Sequence, residues 1–228
     1  MKTGFSFTRV AGALAIVIGI LYLLIGVNYL FMPEAQKEYL KPEFWPAFSA
    51  HPASGMIEYI AFAAIGILAL GVVPIISGLA GGKVSGFFQW VVSLGMLGFA
   101  VHAVEEIRLL ALTKRIADAY VAGDAATRSA IAALGLQNLD PLHLFKFGLV
   151  GLWVLVVSIL GFSKKTLPAV LCAIGIVGGV AFWVNLVGNV LQLVPIVTAT
   201  AITAIVLGPI WYIWVGVRLL GGRAASAP

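Results

Sequence analysis

The chain has 228 residues, of which 61% are hydrophobic and 10% are charged, and its mean hydropathy is +1.07. This composition excludes a soluble globular domain, in which apolar usage is about one half and charged usage about one quarter. The net charge of +5 does not indicate nucleic-acid binding, because no soluble basic domain carries it, and membrane proteins concentrate lysine and arginine in cytoplasmic loops. The single cysteine, Cys172, excludes an intramolecular disulfide and a multi-cysteine metal site.

Long apolar runs separated by short polar loops predict six transmembrane helices. The first run, residues 10–32, has 23 residues, which span about 34 Å and so exceed a bilayer core of about 30 Å. It lacks the short core and cleavage site of a signal peptide, so we expect it to be retained. The sequence therefore predicts an all-α, polytopic helix bundle forming one integral membrane domain over residues 1–228, with spans at 10–32, 56–79, 87–112, 141–162, 168–194 and 196–220.

Two segments between the predicted spans are more polar. Pro33 favours a short helix after the first span, whereas residues 42–48 are too rich in proline for a regular element. Beyond Glu105 the pattern becomes amphipathic, which allows the third helix to continue past the membrane to Tyr120. Gly123 ends it, and Asp124 is a good N-cap for a second helix that ends at Gly135. Residues 113–140 are thus predicted to form a short outer helical subdomain that covers the membrane surface.

The distribution of basic residues predicts that both termini are cytoplasmic. With that orientation the inner segments hold seven basic residues in about thirty positions, and the outer loops hold five in about fifty. All nine acidic residues and all three histidines then fall on the outer side or in the outer part of the membrane. Polar chemistry is therefore expected in the outer layer of a bacterial inner membrane.

The most unusual stretch is residues 100–108, which place four ionisable groups at the end of an apolar helix. His102 lies three residues from Glu105 and four from Glu106, so the three side chains can share one helix face. Ionisable groups in a membrane usually face the bundle interior or a watery cavity. Imidazole and carboxylate ligands suit zinc or iron, and the candidate metal ligands at this depth are Glu58, His102, Glu105, Glu106 and His143.

A polar small molecule is the second interpretation of the same layer. Lys146 and Arg108 would supply positive charge, and the amides would supply hydrogen bonds. The candidate ligand-binding residues are Asn28, Lys146, Asn185, Asn189 and Gln192.

Three hypotheses for function follow. The first is an outward-facing site that binds a metal ion or a small polar ligand, with transport as an extension. The second is a membrane-embedded metal-dependent enzyme that uses Glu105 or Glu106 as general base. The third is an accessory subunit of a membrane complex, in which Lys146 and Arg108 only neutralise the acids. Haem ligation by His102 and His143 would need a facing geometry that the spacing does not predict.

The plan of the chain resembles uncharacterised six-span bacterial inner-membrane families known only as domains of unknown function. The similar features are the alanine-rich segment 118–134 between the third and fourth spans and the closing segment 208–220, which begins Gly-Pro-Ile-Trp-Tyr. The resemblance implies the six-span layout and no particular catalytic residue.

Overall fold

The chain forms a bundle of helices in the computed structural model, which describes residues 7–37, 41–81, 85–136 and 138–221. These residues contain no strand. Six helical segments are long and apolar enough to cross a membrane, so the predicted fold class is confirmed. The helices are α1 (Phe7–Phe31), α2 (Glu34–Lys37), α3 (Phe44–Ala50), α4 (Ala53–Gly81), α5 (Gly86–Ala122), α6 (Ala125–Leu134), α7 (Val150–Ser163), α8 (Ala169–Val190) and α9 (Val194–Leu220), with a π-helical turn at Leu144–Leu149 before α7.

The six long segments pack in a closed ring in the order α1, α4, α5, α7, α8, α9 and back to α1. Glycines allow the closest approaches, as is usual between helices in lipid. A Cβ added to Gly66 on α4 would lie 2.8 Å from Phe99 O on α5, and one added to Gly95 on α5 would lie 2.7 Å from the Trp153 side chain on α7. The ring therefore has a continuous hydrophobic core.

The two ends of the ring differ. The end that carries α2, α3, α6 and residues 138–143 is called the cover side here, and the opposite end carries Phe7 and Leu220. On the cover side, α3 packs on α5 through an aromatic cluster of Phe44, Trp45 and Phe48. The prolines of residues 42–48 were expected to prevent a regular element, but burial of these three aromatic rings holds the segment helical.

The observed end of the third span lies furthest from its predicted bound of residue 112. Helix α5 continues without a break to Ala122, close to the expected continuation to Tyr120, so residues 113–122 belong to the same helix as the span. Thr113 and Ala117 are buried in this extension, which shows that packing sustains it. The fourth span begins with the π-helical turn at residue 144 rather than at Pro141.

Helix α6 is capped as the sequence predicts. Asp124 Oδ1 accepts a hydrogen bond from the Thr127 amide at 2.8 Å, and Gly135 ends the helix with φ 58°. The hydrogen bond from Thr127 lowers the pKa of Asp124. None of the residues of α6 is buried, so this helix lies on the surface of the cover side.

Candidate functional site

Helix α5 places three ionisable side chains on one buried face near the cover side. His102, Glu105 and Glu106 are 5%, 7% and 2% exposed. Their spacing of three and four residues brings them to the same side of the helix. Burial of two carboxylates in an apolar bundle requires partners, because an uncompensated charge is costly there.

Lys146 supplies the partner for Glu106. Its Nζ donates a hydrogen bond to Glu106 Oε1 at 2.8 Å, and it lies 4.4 Å from the centroid of the Phe62 ring on α4. The same Glu106 oxygen is 3.4 Å from His102 Nδ1, and the His102 ring packs edge-on against Phe62. One lysine thus connects α4, α5 and the π-helical turn.

Asp140 caps the π-helical turn that carries Lys146. Its carboxylate accepts hydrogen bonds from the amides of Leu144, Phe145 and Lys146 at 2.8, 2.7 and 2.9 Å. His143, directly before the turn, has φ 56° and ψ 30°, a left-handed conformation that is uncommon for a residue with a side chain. π-Helical turns are rare and are often found at functional sites. Asp140 was not among the predicted site residues, although an acid directly before Pro141 at a helix start is a capping signal.

The segment of residues 135–136 and 138–143 is attached to α5 by two further contacts. The Arg108 Nη2 donates to Leu136 O at 2.9 Å, and the Leu139 amide donates to Glu105 Oε2 at 2.9 Å. Arg108 Nε also lies 3.8 Å from Glu105 Oε2. These contacts hold Asn138 over the buried face of α5.

A cavity of about 40 Å³ lies between α5 and this segment. It has room for a molecule the size of water, which needs about 10–15 Å³. Three buried atoms of its lining have no hydrogen-bond partner among the described residues: His102 Nδ1, Glu105 Oε1 and Asn138 Oδ1. The polar residues that line it are His102, Glu105, Glu106, Asn138, Asp140, His143 and Lys146.

The structure brings together only part of the predicted site. Of the candidate metal ligands, His102, Glu105, Glu106 and His143 line the cavity, as does Lys146. Glu58 on α4 does not line it, but interacts electrostatically with Lys146 and Glu106. Asn138 was not predicted, because its position depends on how residues 138–143 fold back over α5.

The predicted amides lie elsewhere. Asn28 donates to Ser54 O at 2.9 Å and joins α1 to the start of α4. Asn185 donates to Val197 O and Thr200 Oγ1, and Asn189 donates to Asn185 Oδ1. Gln192 is exposed in the turn between α8 and α9. Asn28 and Asn185 therefore connect neighbouring helices, and a role in ligand binding stays a prediction for all four amides.

The metal hypothesis gains no support from the geometry. Among the described residues, no group of three or more histidine, cysteine, aspartate or glutamate side chains is placed to hold a metal ion. The ammonium group of Lys146 occupies the position beside Glu106 where a cation would bind. Zinc or iron binding, and haem ligation, stay predictions.

Searches of protein-family models, curated proteins and solved structures found no match to this chain. The resemblance to six-span families of unknown function therefore stays a prediction. A function can be inferred only from the residues that line the cavity beside α5.

Proposed function

We propose that this protein is a bacterial inner-membrane protein that binds a small hydrogen-bond-donating cation in the cover-side cavity, with the cover side facing outward. The observation that carries the proposal is the pair of buried acceptor atoms, Glu105 Oε1 and Asn138 Oδ1, without a partner among the described residues. A buried acceptor without a partner loses its hydration free energy, and a donor in the cavity would restore it.

The charge around the cavity favours a cation. In their ionised forms the three carboxylates that line the cavity, those of Glu105, Glu106 and Asp140, outnumber the two nearby cationic groups of Lys146 and Arg108. An anion would meet a net negative lining, whereas a cation would reduce it.

The volume limits the ligand further. A cavity of about 40 Å³ has space for a species such as ammonium, which is close to water in size and donates hydrogen bonds in all directions. Amines that carry large substituents would need residues 138–143 to move away from α5.

Unfolding of the purified protein in detergent tests the proposal. Ammonium chloride should raise the free energy of unfolding relative to tetramethylammonium chloride at equal ionic strength, because the larger ion has no N–H donor and does not fit. A ligand present at ten times its Kd stabilises the folded state by about 1.4 kcal/mol. Glu105→Gln should abolish this difference between the two salts.

The matched control is Asp118→Asn. Asp118 is an acid on the same helix, but its carboxylate contacts Ser49 and Lys114 rather than the cavity, so this variant should keep the full response to ammonium. Equal stabilisation by both salts, or an unchanged response in Glu105→Gln, would contradict the proposal.

Elemental analysis tests the metal hypothesis and the enzyme hypothesis built on it. A stoichiometric metal in the wild-type protein that is lost in His102→Ala would replace the small cation as the ligand of this site.

A role as an accessory subunit is supported by a different observation. The contact of Lys146 with Glu106 and Phe62 joins three parts of the bundle. A polar network whose only role is to hold the helices together would make the same contact. A structural network alone would give no selective response to ammonium.

A further inference from the structure

Residues 138–144, called the strap here, have two unlike faces. The side chains on one face line the cavity beside α5, and they are those of Asn138, Asp140 and His143. The leucines of the strap do not line the cavity, and their exposed fractions are 53% for Leu139, 50% for Leu142 and 43% for Leu144. The strap therefore has a polar inner face and an apolar outer face. A group of exposed apolar side chains of this kind marks a contact with a protein or with a membrane.

The attachment of the strap to α5 gives its level in the membrane. The exposed rings of Phe87 and Trp90 at the start of α5 are typical of one edge of the bilayer. Glu105 comes nineteen residues after Gly86, the first residue of α5, which is about 28 Å along the helix axis. The hydrocarbon core is about 30 Å thick. Because the Leu139 amide donates to Glu105 Oε2 at 2.9 Å, the strap lies level with the far edge of that core.

The surfaces beside the strap are also apolar. Val104 and Ile107, which lie on either side of Glu105 along α5, are both exposed. Leu144 is the last residue of the strap and the first residue of the candidate span Leu144–Ser163. The outer face of the strap is thus continuous with surfaces that the bilayer covers.

We infer that the outer face of the strap docks into the phospholipid bilayer, at the boundary between acyl chains and headgroups of the leaflet on the cover side. Leu139 and Leu142 lie among the upper acyl chains, and the polar face stays turned to the cavity. Apolar side chains gain free energy when they move from water into this layer. A soluble protein would have to reach leucines that lie level with the acyl chains, so the depth favours lipid as the occupant.

The bilayer then helps to hold the strap over the cavity, in addition to the hydrogen bond from the Leu139 amide to Glu105. This contact does not depend on which ligand the cavity binds, and its tests use no ligand.

Quenching of a fluorescent label by spin-labelled lipid tests the inference. Leu139→Cys and Leu142→Cys are each made in a Cys172→Ala background, labelled with the NBD fluorophore and placed in phosphatidylcholine nanodiscs. Phosphatidylcholine with a doxyl group high on its acyl chain should quench both labels more strongly than phosphatidylcholine with the doxyl group near the chain end. Iodide in the water should quench them weakly.

Two further positions calibrate the depth. Ala126→Cys is the aqueous control, because α6 follows the end of α5 at Ala122, about 54 Å along the helix axis from Gly86; its label should be quenched by iodide. Val177→Cys is the deep control, because Val177 is exposed near the middle of α8; its label should be quenched most by doxyl near the chain end. A label at Leu139 or Leu142 that behaves like either control would overturn the inference.

Hydrogen exchange of the unlabelled protein in nanodiscs is a second test that needs no probe. Leu142→Ser removes an apolar side chain from the outer face, so the strap should open more often. The Leu139 amide should then exchange about threefold to tenfold faster than in the wild type. Val121→Ser is the matched control, since Val121 is also exposed but lies near the end of α5, beyond the bilayer, and this variant should exchange like the wild type. Unchanged exchange in Leu142→Ser would contradict a contact with lipid.

Discussion

Helix α5 and the π-helical turn are held together differently from α1 and α9. Between α5 and the turn, the contact is ionic and specific, with Lys146 Nζ 2.8 Å from Glu106 Oε1. Between α1 and α9 the contact is backbone against backbone, since a Cβ on Gly12 would lie 2.9 Å from Gly216 O and one on Gly216 would lie 2.6 Å from Gly12 O. No ion pair joins α1 to α9 among the residues that the structure describes.

The difference shows how the bundle separates packing from chemistry. Apolar helices in lipid gain little from hydrophobicity alone, so close packing through glycines stabilises α1 against α9. A buried ion pair is a weak source of net stability, because desolvation offsets most of the attraction between the charges. The cover side therefore contains buried charges that contribute little net stability, whereas close packing holds α1 against α9.

Lys146→Met should have the largest effect on stability. The variant leaves the buried Glu106 carboxylate without its cation, and removing one partner of a buried pair costs about 3–5 kcal/mol. Because the Lys146 side chain is 22% exposed, water can reach part of the pair, and we expect the lower end of that range. Unfolding by SDS titration measures it.

The double variant Lys146→Met with Glu106→Gln is the control for that loss. Removing both charges should recover most of the lost stability, since a neutral amide needs no counter-ion in the membrane. If the double variant is no more stable than Lys146→Met, the stability depends on lysine packing against Phe62 rather than on charge, and the contrast between the two regions weakens.

Gly216→Val tests the other side of the comparison. The new side chain would collide with Gly12 O and with Ile16 on α1, and a backbone atom cannot rotate away as a side chain can. Overpacking of this kind costs about 1–3 kcal/mol, so the SDS midpoint should fall clearly. Gly78→Val is the matched control, because an added Cβ there meets nothing within 4 Å. Equal stability of the two variants would show that close packing of α1 on α9 is not needed.

The comparison also explains which features are predictable from sequence. Apolar length alone predicts six spans, because crossing a bilayer imposes a minimum run of apolar residues. The spacing of His102, Glu105 and Glu106 predicts their common face, since this is a local property of one helix. Their burial at the cavity confirms that local inference.

Features that depend on tertiary packing were less predictable. Depth in the membrane placed Asn28, Asn185 and His102 in one layer, but depth does not give the position around the ring. The ring order separates α5 from α8 and α9, so Asn185 bonds to α9 instead of facing His102. Likewise, the Asp140 carboxylate and Asn138 reach the site only because residues 138–143 fold back onto α5.

Asn185→Leu should have the smallest effect of these changes. Asn185 is buried and donates to Val197 O at 3.0 Å and to Thr200 Oγ1 at 2.8 Å across the α8–α9 pair. The hydroxyl of Thr200 also donates to Ile196 O, so it keeps a hydrogen bond in the variant. Hydrogen bonds between membrane helices contribute about 0.6 kcal/mol on average and about 1.7 kcal/mol at most. The free energy of unfolding from SDS titration should fall by an amount in that range.

The control is Thr203→Val, which removes a hydroxyl bonded only within α9 and should leave the free energy of unfolding unchanged. A loss in Asn185→Leu as large as that in Lys146→Met would mean that a neutral amide link stabilises the bundle as strongly as the charged pair, and that polarity rather than charge distinguishes the cover side from the α1–α9 pair.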